Sequence, residues 1–169
     1  SFVASFPTGP MRKDLHSGRY TFAYTSWRDE WNPGHKAMAE LFSEAEYSTS
    51  LITDTPSNEH YEPGFDHFEM IHGQVGHGAE LDMNQKLDLP ADIRKLRVPV
   101  ERLYRIAKVQ SGWRGEEDRF VARTMRAASR WLEARHRSGR PFFLYVDTFD
   151  PHEPWDPPRY YIDQYDPDY

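Results

Sequence analysis

The sequence predicts an α/β layered fold, and two helix-to-strand successions carry that prediction. In the first, Ala37, Met38, Leu41, Phe42 and Ala45 recur at helical spacing, and the β-branched run 49–55 follows and is stopped by Pro56. In the second, a long helical pattern over 116–138 ends at Gly139. The nearly all-apolar run Pro141-Phe142-Phe143-Leu144-Tyr145-Val146 comes straight after it. Helix, tight glycine turn and apolar strand make half of a βαβ arrangement, with 141–146 read as a central strand covered on both faces.

Taken in order, the chain opens on Ser5-Phe6-Pro7-Thr8-Gly9-Pro10-Met11-Arg12-Lys13-Asp14-Leu15-His16-Ser17-Gly18-Arg19. Thr8 reads as the N-cap of a short helix, Pro10 falls where a first turn tolerates a missing N–H, and Gly18 ends it in a left-handed conformation. A hydroxyl at that mouth faces unpaired N–H groups and the positive end of the helix dipole, where phosphate or sulfate would be held. Arg12, one turn further in, is placed to steady the hydroxyl or the anion. A plain capping threonine uses the same residue type, so both roles stand at this point.

The aromatic stretch 20–27 reads as an extended loop or a short strand, with Trp27 and Trp31 either lining a pocket or packing on the core. Asn32-Pro33-Gly34 is a turn ahead of the helix that ends near Glu46. Residues 57–82 gather His60, His67, His72 and His77, but their spacing fits no zinc pattern, and the segment reads as a solvated or substrate-facing loop. Residues 82–100 read as a charged loop, and 100–107 as a short helix interrupted by 112–115. In the long helix Phe120, Val121, Thr124, Met125, Ala128, Trp131 and Leu132 share one face and arginines cover the other. It begins with acids and finishes on Arg135, His136 and Arg137, as the dipole favours.

The last strand delivers Asp147-Thr148-Phe149-Asp150-Pro151-His152-Glu153-Pro154 at its carboxyl end, where open α/β sheets bind ligands. His152, flanked by prolines, is placed to bind an anionic oxygen when protonated or to donate a proton to a leaving group. A surface histidine in a proline-rich turn is the other reading.

Composition limits the partners. With 38% hydrophobic residues and a mean hydropathy of -0.85 the chain is lean, yet 169 residues suffice for one core. A net charge of -6 gives no general attraction to nucleic acid or to an anionic membrane, and neither is expected as a partner. Zero cysteines exclude disulfides, thiolate metal sites and a cysteine nucleophile, and suit either cytoplasm or periplasm. No apolar run is long enough to span a bilayer. The chain starts at Ser1 and stops in a Pro-, Asp- and Tyr-rich run, so it is expected to be an internal segment of a longer enzyme.

Thr8, Pro10, Arg12, Ser17, Gly18 and Arg19 together resemble the sulfatase signature: Cys or Ser, then x-Pro-x-Arg, then four residues and Thr-Gly-Arg. Gly64-Phe65-Asp66-His67-Phe68 with Ile71-His72-Gly73-Gln74 resembles a second sulfatase segment, His72 standing where Arg is common. Phe142-Phe143-Leu144-Tyr145-Val146-Asp147-Thr148-Phe149-Asp150-Pro151-His152-Glu153-Pro154 resembles a third, whose Pro-His-x-Pro histidine contacts sulfate.

The resemblance implies an alkaline phosphatase-like three-layer α/β/α sandwich, incomplete here, with 1–169 forming part of one catalytic domain. It implies a hydrolase of sulfate esters with Thr8, Arg12 and His152 as site residues, and Asp147 and Asp150 capping their own loop. It also implies a divalent metal, calcium in sulfatases, that only Thr8 of this chain would reach. The family's metal carboxylates lie in an Asp-Asp element and an Asp-Asn or Asp-His element absent here, so the isolated chain is expected to be inactive.

Two departures matter. Thr8 replaces the Cys or Ser that becomes formylglycine, and the extra methyl on its Cβ blocks that conversion. Thr53-Asp54-Thr55-Pro56-Ser57 stands where the family carries a sulfate-binding Lys and His, leaving Lys13, Lys36 and Arg28 as candidate cations. The implied substrate is a small-molecule or glycan sulfate or phosphate ester. The alternatives are a phosphodiester or phosphonate ester attacked by unmodified Thr8 with zinc or manganese, and a non-catalytic member binding sulfated glycans or a protein.

Overall fold

A buried strand of mixed polar composition, β1 (Ser48–Thr53), lies at the middle of the fold. The computed structural model describes residues 5–26, 29–87 and 92–168. Among them the sheet has three parallel strands in the order β2-β1-β3, with β2 (His67–Met70) and β3 (Phe142–Asp147) on either side of β1.

The alternation of side chains assigns the two faces. Ile52, Leu144 and Val146 pack with Phe120, Ala127, Ala128 and Trp131 of the long helix α4 (Phe120–His136). The opposite face carries Phe143, on which Phe42 of α2 (Met38–Glu44) stacks at 4.3 Å, and Tyr145, which His16 of α1 (Thr8–Ser17) meets at 4.9 Å. Helices therefore cover both faces, in an α/β/α arrangement. Gly18 closes α1 at φ 68°, its N–H donating to the Asp14 carbonyl, and Gly139 makes the turn into β3 at φ 68°.

The structure corrects several readings of the sequence. The central strand is β1 and not β3, which lies at the edge of the described sheet and is only partly buried. The apolarity of β3 reflects its two helical covers, whereas β1 hides its hydroxyls by pairing them. Ser50 Oγ meets His67 Nδ1 at 2.8 Å, and Thr49 Oγ1 accepts from the Asp66 N–H at 2.9 Å. The segment 57–82 is no plain loop, because it contains β2, where Asp66 accepts in turn from the Thr49 N–H.

Residues Thr21–Ala23 form a 3-10 turn within the stretch read as an extended loop or a short strand, and α3 (Val100–Gln110) runs longer than expected. The acids Glu116–Asp118 make their own turn ahead of α4, and α5 (Arg159–Ile162) appears in the proline-rich end. Trp27, Arg28 and part of the loop expected over 82–100 lie outside the described residues. Among the described residues, no helix is long and apolar enough to cross a membrane.

Ile52 is fully buried at the centre of the α4 face. Ile52→Ala is expected to lower the unfolding free energy by about 2–5 kcal/mol, read from urea denaturation, because the helix-packed sheet cannot collapse into the space.

Candidate active site

At the carboxyl edge of the sheet β3 ends in Asp147, and Asp54 directly follows β1. Asp147 is the meeting point of distant segments. Arg12 of α1 donates to it through both Nε, 2.7 Å from Oδ2, and Nη2, 2.6 Å from Oδ1. Thr55 Oγ1 donates to Oδ1 at 3.0 Å and the Tyr145 hydroxyl to Oδ2 at 3.1 Å. Burial favours the neutral carboxyl, but the Arg12 hydrogen bonds and charge outweigh it and hold Asp147 below the usual carboxylate range. Burial works against charge on Arg12 as well, and the Asp147 contacts reverse it, raising the pKa of the guanidinium.

This arrangement changes the expected roles. Arg12 donates through Nε and Nη2 to Asp147, and no hydrogen bond joins it to the Thr8 hydroxyl; it positions α1. Asp147 binds a helix and a neighbouring strand end in place of capping its own loop, and no hydrogen bond engages the Asp150 carboxylate among the described residues.

Thr8 is the first helical residue and not the N-cap. Pro7 takes that place in an extended conformation, and its carbonyl accepts from the Met11 N–H at 3.2 Å. A proline cannot cap with its side chain, so the mouth of α1 is left open. Thr8 is exposed there, its hydroxyl making no hydrogen bond among the described residues, and Pro10 falls in the first turn as expected. Tyr61 pins this turn by donating its hydroxyl to the Gly9 carbonyl at 3.3 Å.

Beneath the mouth, His16 is buried and stacked on Tyr61 at 4.5 Å. Desolvation lowers its pKa from 6.5 to about 4, so the ring is neutral at pH 7. Lys13 donates to the carbonyls of Ser26 at 2.8 Å and Asp29 at 2.7 Å, and Lys36 pairs with Glu44, so both are already engaged. Arg28, the other candidate cation, lies outside the described residues.

Asp54 was missed as a site residue, and its signal was an acid directly after a β-branched run. Fully buried, it accepts from the Phe149 N–H at 2.6 Å and from the Thr124 hydroxyl at 2.9 Å, tying β1 to α4 and to the loop that carries His152. Burial raises its pKa despite those two donors. His152 itself is exposed. Its Nδ1 faces the Glu153 carboxylate at 2.9 Å, its ring lies 4.3 Å from Phe149, and Nε2 makes no hydrogen bond among the described residues. No hydrogen bond or ring contact joins His152 to Thr8 or Arg12. What the structure brings together is α1 and the strand end from which the His152 loop departs.

Among the described residues no group of three or more His, Cys, Asp or Glu could hold a metal ion. The carboxylates of the sheet edge are turned to Arg12, Thr124 and backbone N–H groups, and they do not form a metal centre.

A parallel sheet between helical layers, with its ionised and hydroxyl groups gathered at the carboxyl edge, defines an α/β domain with an edge site. The family is more specific: the chain matches the family model described as Sulfatase over residues 1–169 and belongs to the sulfatase family. Its fold is consistent with part of an alkaline phosphatase-like sulfatase domain. The family acts on sulfate esters and generally uses a divalent metal. Comparisons with curated proteins and with solved structures gave no significant match.

Two measurements test this cluster. With a folded pKa of about 4 against 6.5, His16 binds more protons in the unfolded chain between those values. Stability should fall by about 3 kcal/mol as pH drops through that window, and His16→Phe should flatten the thermal-melting profile there. Asp147, depressed instead, contributes a separate loss only as pH falls below its ordinary 3.8. Arg12→Met or Asp147→Leu alone should each cost about 3–5 kcal/mol in denaturant unfolding by stranding a buried charge. The double variant should cost less than either.

Proposed function

We propose that the chain forms part of the catalytic domain of a sulfatase-like hydrolase that cleaves sulfate esters by nucleophilic attack at the mouth of α1. Whole-chain membership of the sulfatase family supports the reaction class. The observation that carries the site is the exposed Thr8 hydroxyl, unpartnered among the described residues, on a helix clamped to the sheet edge by Arg12 and Asp147. In this reading the first-turn N–H groups and the positive end of the helix hold the ester oxygens. Thr8 Oγ1, losing its proton to solvent, bonds to the ester sulfur as the bond from sulfur to the alcohol oxygen breaks; His152 Nε2 donates a proton to the leaving alcohol, and water then hydrolyses the Thr8 sulfate ester. Arg12 is a positioning residue. The family's metal, calcium or another divalent ion, needs ligands that the described residues do not supply.

The identity of residue 8 favours a second reading on the same fold. A threonine attacks without conversion to an aldehyde, which suits a phosphodiester or phosphonate ester. Matched nitrophenyl sulfate and nitrophenyl phosphodiester assays on the native protein containing this chain separate the two. In either case Thr8→Ala should reduce kcat/KM by roughly a thousandfold or more with an unchanged melting temperature. Activity that survives Thr8→Ala removes the nucleophile assignment. Thr8→Cys, co-expressed with a formylglycine-generating enzyme, should raise sulfatase turnover only under the first reading.

A further inference from the structure

Gln74, in the second of the sulfatase-like segments, is only 5% exposed, yet half of its amide is unused. Oε1 accepts from the Val75 N–H at 3.2 Å, which fixes the way the amide faces and leaves Nε2 buried with no hydrogen-bond partner among the described residues. The turn that carries it is built against conformational preference. Val75, a β-branched residue, sits at φ 50°, and Gly73, at φ 113°, lies so near Phe120 that a Cβ would come 3.0 Å from the ring. Strain of this kind persists where the surroundings impose it, and it clusters at functional places.

A cavity of about 20 Å³ lies between this turn, α3, the start of α4 and the loop after β3. A water needs roughly 10–15 Å³ of such space, so one fits and a larger ligand does not. Gln74, Gln110, Arg119, Asp150 and Asp156 are the charged and amide side chains in its lining. Gln110 Nε2 donates to the Asp156 carboxylate and Arg119 Nη1 to the Asp156 carbonyl, so these three are already joined. The half-buried Asp150 carboxylate accepts no hydrogen bond among the described residues, and burial raises its pKa against the charge of Arg119. One spare donor and one spare acceptor thus border the same small space. A water satisfies both, accepting from Gln74 and donating to Asp150, whereas a cation would face the Gln74 N–H and the Arg119 charge.

His152 follows Asp150 by two residues on the same proline-rich loop. The ion pair and the ring contact of His152 are to Glu153 and Phe149 of that loop, so the seat of the loop decides where Nε2 lies. We infer that Gln74 is a positioning residue for His152, acting through one buried water held between its Nε2 amide and the Asp150 carboxylate. The role of His152 rests on the hydrolase reading above, while the water site rests on the cavity and its lining.

A high-resolution crystal structure of the native protein containing this chain should show a water within hydrogen-bond distance of both Gln74 Nε2 and the Asp150 carboxylate. Gln74→Leu, which keeps the bulk and removes the amide, should lose that water. Its kcat/KM for the methyl ester of the accepted acid should fall by about tenfold or more, because a displaced loop misplaces the proton donor. For the nitrophenyl ester, whose alcohol leaves readily without a proton, the loss should be under about threefold. A merely structural lesion would lower both alike. Asp150→Ala should give the same split, and the double variant should lose no more than the single variants, since both act through one link. Asp150→Ala alters a half-buried loop residue and keeps the test available if Gln74→Leu does not fold.

The inference is overturned if no water lies there in the native protein, if Gln74→Leu retains it, or if the folded variants lower both esters equally. Losses that multiply in the double variant would overturn it as well. A water found in place and removed by Gln74→Leu, in a protein that turns over neither ester, would sink the hydrolase reading and leave the link between Gln74 and Asp150 standing. Turnover of both esters with no water at the site would do the reverse.

Discussion

The ion pair between Arg12 and Asp147 fixes the relation of α1 to the sheet, and the candidate site exists only through that relation. The buried residues of α1 are Arg12, Lys13, Asp14, His16 and Ser17, while its Leu15 is exposed. A helix with such an inward face gains little from apolar burial, so hydrogen bonds and charge must hold it. Both side chains of the pair are only 9% exposed, and a pair so desolvated contributes less to net stability than to geometry. Two parallel guanidinium contacts define a plane as well as a distance, which sets the rotation of the helix on the sheet. Asp14 accepts from the Thr21 N–H at 2.7 Å, Lys13 closes the following loop, and His16 is held by stacking on Tyr61.

The other face is anchored by a different device with the same logic. Asp54 leaves β1 one residue after Thr53, and its carboxylate reaches α4 through Thr124 and the β3 loop through the Phe149 N–H. One aspartate faces a charged donor and has a depressed pKa, while the other faces neutral donors and has a raised one. That contrast follows from partner charge, since both are buried. Together they join the two helical layers to the carboxyl edge of the sheet, and apolar packing alone specifies neither junction.

The elements that packing decides were legible in the sequence, and those that polar pairing decides were not. The face Phe120, Thr124, Ala128, Trp131 of α4 follows directly from helical periodicity, and the strand after Gly139 follows from its apolar run. β1 reads as a strand from its β-branched run, but its central place does not, because four of its six residues are Ser or Thr, whose hydroxyls find partners only after β2 and the Asp66 turn are in place. β2 is short and set among glycines and histidines, so its period-2 signal is lost in residues that also favour loops. At the site, the exposed hydroxyl at residue 8 and the proline-flanked histidine at 152 were visible as motifs. The partner of Arg12 was not, because nothing local in Asp147 separates a loop cap from a long-range ion pair 135 residues away.

Charge at the α1 mouth follows from these pairings. Asp147 neutralises Arg12, His16 is uncharged at pH 7, and Lys13 points to the carbonyls of Ser26 and Asp29. An anion at Thr8 therefore meets, from the described residues, the helix terminus and not a full cation. A helix N-terminus acts as roughly half an elementary charge, enough to favour one negative charge but poorly matched to two. Sulfate monoesters and phosphodiesters both carry a single charge at neutral pH, whereas a phosphate monoester carries nearly two. Under the proposed reading, the same neutralisation that locks α1 in place makes its mouth better suited to a singly charged ester than to a phosphate monoester.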